Sequence, residues 1–125
     1  MLVASKNENF LDQNIDWEFP IPIAYGPGRL SEIGLFCEQF QISNPLIITD
    51  EGSKNLPFIN RLITLLQKAS IPSKLFFGVS PNPRDDEIMA GCETYRSGQH
   101  DSIIAIGGGS AMDGAKAIGM TVNSG

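Results

Sequence analysis

Apolar residues recur at helical spacing in three stretches of the chain, each of which predicts a helix, and a run of small residues near the C-terminal end predicts a fourth. The first predicted helix covers residues 30–40, and the second begins near Pro57, a residue favoured in a first helical turn. The third begins with the acidic residues 85–87 and ends at Gly98, and the fourth begins at about Ser110. The segments between these helices are short, so any strands must alternate with them.

Short, largely apolar runs lie between the predicted helices, at residues 46–49, 74–77 and 102–106, and the run at 46–49 is rich in β-branched residues. The first run is continuously apolar, as expected of a strand covered on both faces. Because strands and helices alternate, the chain predicts an α/β, Rossmann-like fold, with a parallel sheet and helices on both faces. A short strand at residues 21–25 is predicted at a sheet edge, since Pro22 donates no ladder hydrogen bond.

Composition and charge narrow the function classes. The chain has 125 residues, 42% of them hydrophobic and 18% charged, which suits one globular domain. Residues 1–16 are polar and irregular and predict a flexible tail, leaving residues 17–125 as the domain. A net charge of −5 without a run of Lys or Arg argues against nucleic acid and membrane surfaces as partners. No secretory signal or membrane-spanning segment is recognisable, so a cytoplasmic location is expected.

The cysteines and the histidine offer little chemistry. Cys37 and Cys92 fall on the apolar faces of predicted helices and are interpreted as buried, reduced thiols. His100 is the only histidine, and no Cys/His cluster has metal-ligand spacing, so neither a metal site nor a catalytic residue is predicted. His100 next to Asp101 could suggest a relay, but no Ser or Cys nucleophile is recognisable near it, and a surface histidine is favoured.

The strongest chemical signal is the turn after the last predicted strand, which reads Gly107-Gly108-Gly109-Ser110. A strand, a turn without side chains and a helix start together aim backbone N–H groups at one point, which suits a phosphate. The turn is neither the usual dinucleotide fingerprint nor a P-loop. A structural interpretation stays open, because Ser110 with Asp113 resembles a capping box and the glycines could serve close packing.

Two further features follow strands and should line the same edge of the sheet, where ligands of such folds bind. Asp50 could accept hydrogen bonds from an adenosine ribose and repel a 2′-phosphate, which favours NAD over NADP, or it could simply begin a turn. The second feature is a rigid loop of Pro81, Asn82 and Pro83. Lys116, nearly two turns into the last helix, could neutralise a ligand phosphate or lie in solvent.

Four motifs in this order resemble the N-terminal domain of the iron-containing (group III) alcohol dehydrogenases, over about residues 17–121. That superfamily also includes glycerol dehydrogenase and dehydroquinate synthase. The motifs are Tyr25-Gly26-Pro27-Gly28 with Leu30, the strand ending in Asp50, the loop Pro81-Asn82-Pro83, and the strand 101–106 with Gly107-Gly108-Gly109-Ser110, Asp113 and Lys116. The resemblance implies the N-terminal fold of the dehydroquinate-synthase type.

The resemblance also implies a cofactor, NAD(P), and a role for each motif. The glycine turn, Gly107 to Ser110, would hold the pyrophosphate, and Asp50 would lie by the adenosine ribose. The loop of Pro81, Asn82 and Pro83 would border the adenine, and Asp113 and Lys116 would lie toward the nicotinamide.

The implied activity is hydride transfer between NAD(H) and a small alcohol or aldehyde, assisted by Fe²⁺ or another divalent metal. Family members are roughly three times longer, and their metal ligands, one Asp and three His, come from a C-terminal helical domain. The chain alone is therefore expected to be inactive, and to form a homodimer through residues 17–25. The alternatives are a non-catalytic nucleotide-binding or dimerising module, and the glycerol dehydrogenase branch.

Overall fold

The computed structural model describes residues 2–5, 23–24, 33–39, 41–82 and 84–124. Their strands are β1 (Leu2–Ser5), β2 (Ile23–Ala24), β3 (Pro45–Asp50), β4 (Lys74–Val79) and β5 (Ser102–Ala105). Their helices are α1 (Ile33–Gln39), α2 (Pro57–Lys68), α3 (Asp85–Ser97) and α4 (Gly109–Ser124), and a 3₁₀ turn covers Glu51–Ser53. These bounds agree with the predicted strands and helices to within a few residues, apart from the N-terminal segment.

The five strands form one sheet in the order β2-β1-β5-β3-β4. Strand β3 lies in its parallel part, paired with β4 on one side and with β5 on the other. The predicted parallel sheet is confirmed for these three strands. Strand β1 is antiparallel to both β5 and β2, so the sheet as a whole is mixed. The predicted position of β2 at a sheet edge is confirmed for Ile23–Ala24, while Pro22 lies outside the described residues.

The N-terminal segment differs from the sequence-based prediction. Leu2–Ser5, predicted as part of an irregular tail, is a strand whose four residues pair with β5, from Leu2 opposite Ala105 to Ser5 opposite Ser102. The physical reason is the edge of β5, whose backbone groups need hydrogen-bond partners that a local sequence pattern does not reveal. The rest of the predicted tail lies outside the described residues.

Helices cover both faces of the sheet, as predicted, and each face has its own hydrophobic core. One core joins α1 and α2 to the sheet, and the other joins α3 and α4 to it. The first contains Ile33, Cys37, Ile42, Ile47, Ile59, Leu62, Leu66, Ile104 and Ile106. The second contains Leu46, Ile48, Val79, Cys92, Tyr95, Ile103, Ala105, Ala115, Ile118 and Val122. Adjacent residues of β3 and of β5 therefore point to opposite faces, and these two strands are buried on both.

Both cysteines are buried and free, as predicted. Burial, with the nearby Asp101 charge, raises the pKa of the Cys37 thiol to about 12. A thiol with so high a pKa stays protonated at neutral pH and packs as a small apolar group.

Candidate functional site

The sheet has a topological switch point between β3 and β5. The chain leaves β3 through α2 on one face to reach β4, then returns through α3 on the other face to β5. Helices that follow β3 and β5 therefore diverge to opposite faces, an arrangement that in open α/β sheets leaves a crevice beyond the carboxyl ends of the two strands. Ligands of open α/β sheets bind in such crevices.

Asp50, the last residue of β3, lies in this crevice and reaches the turn after β5. Its Oδ1 accepts a hydrogen bond from Gly108 N–H at 3.1 Å, and its Oδ2 accepts one from Ser53 Oγ at 3.1 Å. Partial burial raises the pKa of the Asp50 carboxyl, but the hydrogen bonds from Gly108 and Ser53 outweigh it and hold that pKa below 3.8. The side chain is therefore ionised at neutral pH and links two loops of the site.

The three glycines of the turn have different surroundings. Gly107 has a φ of +138°, and a Cβ there would lie 2.5 Å from Asp50 Oδ1 and 3.0 Å from the buried Thr49 Oγ1. A Cβ at Gly108 or at Gly109 would meet nothing within 4 Å. The fold therefore requires glycine at position 107, whereas positions 108 and 109 border open space that a ligand can enter.

Helix α4 begins at Gly109, at the mouth of the crevice. The Gly108 carbonyl accepts the first helical hydrogen bonds, from Ala111 N–H at 3.1 Å and Met112 N–H at 3.3 Å. The first N–H groups of an α-helix have no partner within the helix. Asp50 accepts the Gly108 N–H, so the N–H groups of Gly109 and Ser110 follow it at the positive end of the helix dipole, a position that favours an anion.

The capping-box interpretation of Ser110 is not supported among the described residues. The helix begins one residue before Ser110, which therefore lies in the first turn rather than at the cap position. No side-chain hydrogen bond from Ser110 or Asp113 to the backbone is seen in the described part of the chain. Asp113 and Lys116 are both exposed on α4. Asp113 lies four residues after Gly109 and Lys116 three residues after Asp113, so the three positions share one face of the helix.

The loop after β4 begins beside the same sheet edge, because Val79 of β4 pairs with Asp50. Pro81 and Asn82 are exposed, and Pro83 lies outside the described residues. Glu87 of α3 holds the start of the loop, where its Oε1 accepts Ser80 N–H at 3.0 Å and Ser80 Oγ at 2.9 Å. These hydrogen bonds, the backbone one foremost, lower the pKa of Glu87 below 4.5.

His100 and Asp101 lie before β5, at the opposite end of the sheet from the crevice. His100 Nδ1 is 3.0 Å from the Asn44 carbonyl oxygen. The Asp101 carboxylate accepts Ser43 N–H and Ser43 Oγ at 2.8 Å each, Asn44 N–H at 3.0 Å and Ser102 Oγ at 3.0 Å. Asp101 therefore ties the loop before β3 to the start of β5, and within the described residues its hydrogen bonds run to Ser43, Asn44 and Ser102 rather than to His100.

Three residues of the crevice were missed by sequence reasoning. Thr49 is fully buried, and its Oγ1 has no hydrogen-bond partner among the residues that the structure describes. Ser53 donates a hydrogen bond to Asp50 across a single 3₁₀ turn. Their separation of three residues in the sequence is a signal that could have indicated this contact. Glu87 was interpreted only as a charge in a first helical turn, since nothing in the sequence predicts its contact with Ser80.

The described residues do not fit a metal centre. Within the described ranges, no group of three or more His, Cys, Asp or Glu side chains is placed to hold a metal ion. No helix in the described part of the chain is long and apolar enough to cross a membrane.

The fold and its crevice define a Rossmann-like α/β domain. The family model for iron-containing alcohol dehydrogenase matches residues 20–125. The chain belongs to the iron-containing alcohol dehydrogenase family, a family of oxidoreductases.

Several known proteins resemble the chain over most of its length. The 1,3-propanediol dehydrogenase of Citrobacter freundii is 33% identical over 107 residues, 84% of this chain and 28% of that protein. The NADPH-dependent butanol dehydrogenase of Clostridium saccharobutylicum is 34% identical over 79% of this chain and 25% of that protein. Sulfoacetaldehyde reductase from Bifidobacterium kashiwanohense, solved in complex with NAD+, superposes with a TM-score of 0.64 at 32% identity, over 72% of this chain and 23% of that one. The chain thus spans about a quarter of the length of these proteins.

Proposed function

We propose that the chain is the NAD-binding part of a metal-dependent alcohol dehydrogenase that moves hydride between NAD(H) and a small alcohol or aldehyde. The observation that carries this proposal is the open space at Gly108 and Gly109, directly before the N-terminus of α4 at the switch point. Backbone N–H groups and a helix dipole at such a point attract a phosphate. Membership of the iron-containing alcohol dehydrogenase family supports the same reaction class.

In this proposal the N–H groups of Gly109 and Ser110 bind the pyrophosphate. Gly107 brings the backbone into that position without a side chain. Asp50, ionised and adjacent to the turn, accepts hydrogen bonds from the hydroxyl groups of the adenosine ribose. A pyrophosphate on the helix side of the turn lies farther from this carboxylate, which reduces the repulsion between their negative charges without removing it.

The two ends of the cofactor have separate neighbours in this proposal. Pro81, Asn82 and Pro83 border the adenine at the carboxyl end of β4. Asp113 and Lys116 continue from the turn along one exposed face of α4 and lie toward the nicotinamide.

Bound NAD would supply the hydride acceptor, and a divalent metal would supply a Lewis acid. The chain has a single histidine, so it cannot supply the one Asp and three His that the resemblance implies as metal ligands. We therefore expect the 125-residue chain to bind cofactor without turning over substrate. Oxidation of ethanol or 1,2-propanediol by this chain with NAD and ferrous iron would contradict that expectation.

The test of cofactor binding is calorimetric titration with NAD, NADP and ADP-ribose. We expect NAD and ADP-ribose to bind and Gly109→Val to abolish both, because a branched side chain would fill the space before the helix. Gly34→Ala is the matched control, since its added methyl group would lie 3.5 Å from Ala69 Cβ, an ordinary contact far from the turn. Binding of NAD by Gly109→Val as tightly as by the wild type would exclude the turn as the phosphate site.

NAD is proposed over NADP because the ionised Asp50 would lie near a 2′-phosphate. Asp50→Asn removes the charge, and we expect it to narrow the NAD-over-NADP preference by about 1–2 kcal/mol, the size of a hydrogen bond to a charged group. One relative is named as NADPH-dependent, so the preference within this family is set locally rather than by the fold. An unchanged ratio of NAD to NADP affinity in the same titrations would show that Asp50 does not determine the choice of cofactor.

A homodimer through residues 17–25 is also proposed, supported by the edge position of β2. Edge strands with open backbone groups favour pairing, and a charged residue on the edge disfavours it. We expect sedimentation at tens of micromolar to give a dimer for the wild type and a larger monomer fraction for Ala24→Lys. A wild-type monomer would contradict the proposal.

A further inference from the structure

We propose that Asp50 is a positioning residue for the glycine turn, one that sets the pyrophosphate donors in place through Gly108 N–H. This role is separate from any contact with the ribose, and it rests on the function proposed above. It predicts that Asp50 influences ligands that contain no ribose at all.

The geometry behind this inference is a bridge between two loops that are far apart in the sequence. Residues 50 and 108 are 58 positions apart, yet Oδ1 of one lies 3.1 Å from the backbone nitrogen of the other. The second carboxylate oxygen is held by Ser53, so the side chain is fixed from both ends. A carboxylate anchored in this way can fix the direction of the Gly108 N–H bond. Because the backbone is continuous, this also restricts the orientation of the N–H groups of Gly109 and Ser110.

The backbone around the bridge leaves it little freedom. At Gly107 a Cβ would lie 2.5 Å from Asp50 Oδ1, so turn and carboxylate are in close contact. The exposed side of the turn has no such support, since nothing lies within 4 Å of a Cβ at Gly108 or Gly109. Without Asp50, the Gly108 N–H would lose its partner, and an otherwise unsupported glycine segment would sample more conformations.

Charge and positioning act on an anion in opposite directions, which makes them separable. Removing the Asp50 charge alone relieves like-charge repulsion and should strengthen the binding of an anion. Removing the acceptor for Gly108 N–H should weaken it, because the donors must then be ordered on binding. Asp50→Asn and Asp50→Ala are equally neutral. Only the asparagine retains an Oδ1 for Gly108 and an amide that can donate to Ser53 Oγ.

The experiment is calorimetric titration of wild type, Asp50→Asn and Asp50→Ala with inorganic pyrophosphate, which has no ribose. We expect Asp50→Asn to bind at least as tightly as the wild type, and Asp50→Ala to bind about three- to tenfold more weakly than Asp50→Asn. Glu51→Gln is the charge control, since it neutralises the adjacent exposed acid, whose hydrogen-bond partner is Lys54 rather than the glycine turn. Equal affinities for Asp50→Asn and Asp50→Ala would overturn the positioning role.

A second measurement keeps this inference distinct from the proposed function. Hydrogen exchange of the Gly108 amide, followed by NMR, should be slow in wild type and Asp50→Asn and faster in Asp50→Ala. If the wild type binds neither pyrophosphate nor NAD, the proposed function fails. Hydrogen exchange of the Gly108 amide then still tests whether Asp50 holds the Gly108 N–H. Equal exchange in all three proteins would overturn that link.

Discussion

At the scale of single residues, three neighbouring glycines have different roles. Gly107 adopts a φ of +138° and lies against Asp50 and Thr49, whereas Gly108 and Gly109 border open space. We expect Gly107→Ala to lower the free energy of unfolding by about 1–3 kcal/mol, because alanine is strained at that φ and its methyl group would displace Asp50. Urea unfolding measures the change.

Alanine at positions 108 and 109 provides the comparison for Gly107→Ala. A Cβ at either position has no close neighbour, so we expect changes within about 1 kcal/mol and no loss of folding cooperativity. A Gly107→Ala protein as stable as both controls would show that position 107 tolerates a side chain. It would then contradict the division of the turn into one structural and two ligand-facing glycines.

At the scale of secondary-structure elements, α4 depends on small residues to approach the sheet. A Cβ at Gly114 would lie 2.7 Å and 2.9 Å from the two methyl groups of Val79 on β4. We expect Gly114→Ala to force α4 and β4 apart and to lower stability by about 1–3 kcal/mol, an overpacking penalty. The gain in helix propensity from glycine to alanine, about 1 kcal/mol, offsets part of this loss.

A double-mutant cycle isolates that contact from the propensity effect. Val79→Ala removes both methyl groups, so the double variant with Gly114→Ala should be more stable than the sum of the two single changes predicts, by about 1 kcal/mol. Additive changes in urea unfolding would mean that α4 and β4 do not meet at these two residues.

Elements with local signals were predictable, and elements that depend on distant partners were not. Pro57 opens α2 and Gly98 closes α3 where the sequence indicated, because both signals act within one turn. Strand β1 was missed because four residues carry almost no periodicity, and its partner β5 lies about a hundred residues away.

In the candidate site, the location of the main features was predictable from the sequence, and the contacts between them were not. The glycine turn, Asp50 and the loop after β4 were expected at one sheet edge, and the structure places the described parts of all three there. The hydrogen bond from Gly108 N–H to Asp50 was not predictable, because it requires β3 and β5 to be neighbours in a particular register. For the same reason the unequal roles of Gly107, Gly108 and Gly109 could not be read from three identical letters.

At the scale of the whole molecule, carboxylates that hold loops together make stability depend on pH. Burial raises the pKa of the Asp101 carboxyl, but hydrogen bonds from Ser43, Asn44 and Ser102 outweigh it and hold that pKa below 3.8. The pKa values of Asp50 and Glu87 are also lowered, from ordinary values of 3.8 and 4.5. A group whose pKa is lower in the folded state stabilises the fold above its ordinary pKa, and this contribution is lost as pH falls through the folded value.

The free energy of unfolding should therefore hold steady from neutral pH down to about 4.5 and then fall, since these carboxylates become protonated in the unfolded chain first. Asp101→Asn should be about 1–3 kcal/mol less stable at pH 7, because one oxygen acceptor is replaced by an amide donor facing other donors. Its stability should also fall less steeply below pH 4.5 than that of the wild type. Urea unfolding of both proteins between pH 3 and 7 measures the two slopes. Equal slopes would mean that Asp101 titrates alike in the folded and unfolded chains, and that the loops before β3 and β5 are joined by packing rather than by its charge.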